Sequence, residues 1–160
     1  MKDFGKYGLF ALILFLSACG RQESGTRSAQ DYYDLGRYAS LAGDWTRAVE
    51  FFQQSVMAAA SAGDCYYEGY ASLQLATLWS REQEYARALD YAVSATEALD
   101  ACGEFVGAAF SRLEMAWQYF FMGEPGLALS LADTLRTSFP CPRHAMTAHI
   151  DHLVNAIHGN

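Results

Sequence analysis

The strongest constraint on what this chain can fold into is a spacing of 40 residues that recurs through it. Ala48, Ala88 and Ala128 fall on that spacing, as do Leu35, Leu75 and Met115 and the small residues Gly36, Ala76 and Ala116. Gly43, Gln83 and Gly123 follow it too, each preceding an acidic residue: Asp44, Glu84 and Glu124. A fixed period in this range marks a repeat architecture, in which each unit buries its apolar face only by stacking on its neighbours. The alternating, β-branched runs of a sheet are absent, and only three prolines interrupt 160 residues, so the units read as helices. Apolar residues make up 52% of the chain, enough to build a core.

The small residues explain how two helices of one unit meet. Gly36, Ala76 and Ala116 face Ala48, Ala88 and Ala128 across the pair, and side chains of that size let helix axes approach closely. Gly43 and Gly123 supply the left-handed residue that ends a first helix. The Gly63-Asp64 and Gly103-Glu104 pairs punctuate the joints between units. The pattern predicts seven helices, at about 29–42, 46–61, 65–81, 85–101, 105–122, 126–138 and 143–158. Pro140 and Pro142 set off the last one, whose Met146, Ile150, Leu153, Val154 and Ile157 form an apolar stripe suited to covering the open end of the array.

These residues resemble the tetratricopeptide repeat. Tyr32, Leu35, Gly36, Gly43, Asp44, Trp45, Ala48 and Phe52 occupy its signature positions in the first unit. Leu75, Ala76, Trp79, Tyr85, Ala88 and Ala95 do so in the second, and Ala116, Tyr119, Gly123, Ala128 and a closing Pro140 in the third. The usual period is about 34 residues; the longer one here matches a longer-helix variant. The resemblance covers residues 29–140, divided as 29–63, 64–103 and 104–140, with 141–160 as a capping helix. It implies an all-α, right-handed superhelical array of three helix-turn-helix repeats. It also implies that partners lie in the groove lined by the first helix of each unit. The groove positions map to Gln30, Tyr33, Arg37 and Ser40, then Tyr70, Leu73, Thr77 and Ser80, then Phe110, Leu113, Trp117 and Phe120. The groove so mapped shifts from polar to aromatic along the array, which suits an extended or helical peptide. The competing expectation is that Phe110, Trp117 and Phe120 are core residues beneath the capping helix.

Residues 1–18 read as a targeting segment. Lys2 and Lys6 precede an apolar run, Leu9 to Leu16, that is too short to span a bilayer. Leu16-Ser17-Ala18-Cys19 then resembles the bacterial lipobox. The small residues admit the extended chain to a peptidase, and the Cys19 thiol takes the lipid. The resemblance implies cleavage before Cys19, acylation there, and firm membrane attachment by several acyl chains. Gly20, rather than Asp, follows the cysteine, so the expected place is the cell envelope, at the outer membrane facing the periplasm. Residues 19–28 are the lipidated cysteine and a polar, flexible tether.

The net charge is −7, and no lysine occurs after Lys6. Such a surface repels phosphate backbones, which excludes nucleic acid as a partner. Beyond Cys19 the cysteines are Cys65, Cys102 and Cys141. An exported chain folds in an oxidising compartment, so the options are a Cys65–Cys102 disulfide, a Cys102–Cys141 disulfide, or three small buried thiols. His149 and His152 share a helical face, with no third ligand at fixed spacing, so no metal and no cofactor are expected. No phosphate-cradling glycine loop, Ser/His/Asp order or paired-carboxylate site is present, so the chain reads as a non-enzyme.

Three functional expectations follow. The first is a membrane-anchored adaptor or scaffold in the cell envelope that binds a protein or peptide partner. The second is a sensory or regulatory input module, a stand-alone or truncated relative of membrane regulators that carry such repeats. The third is a small-molecule or redox role for the aromatic groove or the thiols. Self-association is a further expectation if the aromatic groove stays open.

Overall fold

The computed structural model describes residues 27–139 and 145–159. Cys19, the targeting segment, most of the tether and Cys141 lie outside the described residues. The described residues form seven helices and no strand: α1 Ala29–Leu41, α2 Trp45–Ala62, α3 Cys65–Arg81, α4 Tyr85–Ala101, α5 Phe105–Phe121, α6 Pro125–Ser138 and α7 Ala145–His158. The first six agree with the sequence-predicted ends to within one residue, because each end is punctuated locally.

The punctuation repeats with the sequence period. Gly43, Gln83 and Gly123 carry φ of 76°, 62° and 83°, all left-handed. The amide after each reaches back to close the helix end: Asp44 N–H donates to Ala39 O at 2.9 Å, Glu84 to Trp79 at 3.0 Å and Glu124 to Tyr119 at 2.8 Å. That is the six-to-one bond of a Schellman ending. The joints between units use the same device at Gly63 and Gly103, with φ of 67° and 71°. The acidic residue after each turn starts the next helix. Asp44 and Asp64 accept the N–H of the residue three ahead, at 3.1 and 3.2 Å. Glu84, Glu104 and Glu124 occupy the same position without a side-chain bond; glutamate is not among the residues favoured as N-caps. Ser28 and Asp31 form a reciprocal capping box at the start of α1. The Ser28 amide holds the Asp31 carboxyl below its ordinary value.

Consecutive helices pack against one another throughout, and α1 touches α3, α3 touches α5, and α5 touches α7. The even-numbered helices α2, α4 and α6 do not touch one another. The odd helices therefore form one layer with continuous contact, and the even helices form the other. Between the layers lie the small residues picked out by the period: Ala48, Ala76, Ala88, Ala116 and Ala128 are fully buried, and Gly36 is buried. One core cluster joins Phe52, Ala71, Leu75 and Leu78; another joins Leu113, Ala132 and Leu135 to Met146, Ile150 and Leu153 of α7. The apolar stripe of α7 thus closes the end of the array. Cys65 and Cys102 form a disulfide, with Cα atoms 5.8 Å apart, tying the start of α3 to the end of α4. No described helix is long and apolar enough to cross a membrane.

Candidate binding face

The layer of α1, α3 and α5 is the face on which the sequence-predicted groove residues lie, and the structure divides them into two groups. At the α1–α3 side, Tyr33 is half-buried, its ring 5.7 Å from Phe52 and 5.6 Å from Tyr67. Tyr70 is half-buried against Tyr66, ring centres 4.7 Å apart. Its hydroxyl lies over Gly107 of α5, where a Cβ would come within 2.9 Å of that oxygen. Burial raises the phenol pKa of both Tyr33 and Tyr70, against a lowering of Tyr33 by Arg37 and with smaller additions from Asp34 and Glu104. Arg37 is exposed and stands 4.0 Å from Asp34 one turn earlier, a solvated pair worth little. Thr77 is exposed, and its hydroxyl donates to Leu73 O at 3.2 Å; Leu73 itself is half-buried.

At the α5 side the arrangement differs from a groove. Leu113 is a core residue, 5% exposed, and belongs to the cluster under α7. Phe110, Trp117 and Phe120 pack onto the same cluster. The Phe110 ring meets His149 edge-on at 5.7 Å, and Trp117 meets His152 at 5.3 Å. Helix α7 thus lies over the aromatic stretch and turns Leu113, expected in the groove, into packing. His149 and His152, read from sequence as neighbours on one face, are the rings that cover it. From Trp117 the aromatic contacts run outward through Phe121 at 5.6 Å to Tyr85 at 5.1 Å, both stacked.

A polar group lies between α3 and α5. Gln118 is fully buried, and its amide nitrogen donates to Ser80 Oγ at 3.0 Å and to Glu114 Oε1 at 2.8 Å. Burial raises the Glu114 carboxyl above its ordinary range, against a lowering by the Gln118 bond. Sequence reasoning missed Tyr66 and Tyr67, which complete the ring cluster with Tyr33 and Tyr70. The signal was present: Tyr66 and Tyr70 are four apart, so they share a helical face. The groove positions carried over from the repeat begin one turn too late to include them.

No protein-family model, no curated protein and no solved structure matches this chain. The functional reading therefore rests on the residues themselves.

Proposed function

We propose that the chain is a tetratricopeptide-type lipoprotein, anchored through Cys19, that serves as a non-catalytic scaffold in the cell envelope. Its partner is a protein or peptide held on the face of α1, α3 and α5. The observation that carries the reading is the agreement between the sequence period and the helix endings at Gly43, Gln83 and Gly123, each closed by the same backbone bond. Repeats of this kind expose one helix layer along their length, and such extended surfaces suit binding rather than chemistry. The Cys65–Cys102 disulfide accords with folding in an oxidising compartment outside the cytosol.

Two experiments test the parts separately. Metabolic labelling with a palmitate analogue should mark the protein, and Cys19→Ala should abolish the label; a label that survives rules out the anchor. Cross-linking in the native cell should capture a partner that is lost in Arg37→Glu and Thr77→Arg, both changes at exposed positions. Capture unchanged in both variants rules out the face.

A further inference from the structure

Deepening that reading, we propose that the tyrosine cluster of α1 and α3 receives an arginine side chain from the partner segment. The inference rests on the scaffold reading only for the existence of a partner; the chemistry comes from the cluster. Tyr33, Tyr67, Tyr66 and Tyr70 form a connected group in that order, with successive ring centres 5.6, 5.2 and 4.7 Å apart. Tyr66 is 43% exposed, so the group opens to solvent. Ring faces carry negative potential and attract cations, Arg more often than Lys.

Two arginines of the chain already lie over aromatic rings, both of them tryptophans. The Arg81 guanidinium lies 3.9 Å from the centre of the Trp45 ring, and that of Arg87 lies 4.2 Å from the Trp79 ring. Among the described residues no guanidinium covers any of the four tyrosines.

The charges around the cluster point the same way. After burial as the first cause, Asp34 raises the phenol pKa of Tyr33 and, with Asp64, that of Tyr67, and Glu104 raises that of Tyr70. The basic groups nearby are Arg37, which faces Asp34 and also acts on the Tyr33 phenol to lower its pKa, and Arg27, which acts on Asp31. Among the described residues, Asp64 and Glu104 have no ion-pair partner. A guanidinium stacked on the rings could direct its N–H groups to those carboxylates, an arrangement a compact ammonium matches less well.

The test uses the full-length protein in detergent and a short Gly-Arg peptide as probe, followed by NMR of the tyrosine ring protons. Shifts should appear at the four tyrosines and fade as salt rises. The same peptide with citrulline for arginine should produce none at equal concentration. Tyr66→Ala and Glu104→Gln should each weaken binding about three- to fivefold, the worth of one exposed contact of this type. Equal shifts with the citrulline peptide, or binding unchanged in both variants, would overturn the proposal. The two readings fail differently: a native partner lost in Arg37→Glu but retained in Tyr66→Ala and Glu104→Gln leaves the scaffold standing and removes the arginine site.

Discussion

Gly36 stands directly against the ring of Phe52: a Cβ at Gly36 would fall 2.7 Å from two of the ring carbons. One period on, Ala76 and Ala92 occupy the corresponding positions, and two periods on, Ala116 and Ala132. The first unit fills its helix-pair contact with a ring and a glycine where the others use two alanines. Phe52 is fully buried, so the ring has little room to withdraw. Gly36→Ala gains about 1 kcal/mol of helix propensity, but overpacking of this kind costs about 1–3 kcal/mol. The expected net is destabilisation, read as a lowered urea midpoint. A cycle with Phe52→Ala should show coupling, with the second change costing less in the Gly36→Ala background than alone. Additive effects would show that the two do not compete for space.

Gln83 is the one non-glycine residue with positive φ among those described. Its counterparts Gly43 and Gly123 adopt the same conformation without strain, and a Cβ at Gly43 would meet nothing within 4 Å. The difference is therefore one of backbone conformation alone. Gln83→Gly should raise stability by about 1 kcal/mol and Gly43→Gln should lower it by a similar amount. Thermal unfolding measured by circular dichroism reads both, and a lowered Tm for Gln83→Gly contradicts the assignment.

The Cys65–Cys102 bond closes a loop with a sequence separation of 37. Constraining the unfolded chain over such a loop is worth about 3–4 kcal/mol in the chain-entropy account. Reduction should lower the unfolding free energy by that amount, read as a lower urea midpoint, while leaving the helical signal intact below the transition. The bond joins the start of α3 to the end of α4, so the loss should show first in hydrogen exchange of those two helices.

Glu114 gives the fold a pH dependence. Its carboxyl is raised above the ordinary value of 4.5 because it is buried, so the folded state favours its protonated form. The contribution to stability is present below the unfolded value and is lost as pH rises through the folded one. Glu114→Gln should therefore stabilise the protein at neutral pH relative to the parent, and the advantage should vanish below the ordinary value. The neutral amide still accepts from Gln118 at the same atom. A parent and variant with parallel pH profiles would contradict the burial argument.

Helix positions were legible in the sequence because they depend on local signals. Gly43, Gly63, Gly103 and Gly123 end helices by their own conformational freedom, and Asp44 and Asp64 begin them through bonds to amides three residues ahead. Gln83 held the same place in the period and took the same backbone shape, because the turn around it left no alternative. The binding face was less legible. Leu113 and Trp117 have the spacing of groove residues, and only the docking of α7 through Ile150, Leu153 and His152 decides that they are covered. That is a long-range packing outcome, which no spacing within α5 encodes. Tyr66 and Tyr67 were hidden for the converse reason: they precede the repeat's usual groove positions and join Tyr33 only when α1 and α3 lie side by side.

A partner held on the layer of α1, α3 and α5, as proposed, would be within reach of a side chain on that face. A photo-reactive phenylalanine analogue placed at Thr77 on α3, and separately at Asp90 on α4, tests it in the living cell; both positions are exposed. One adduct of defined mass is expected from position 77 and none from position 90. No adduct from position 77, or the same adduct from both, would contradict that placement.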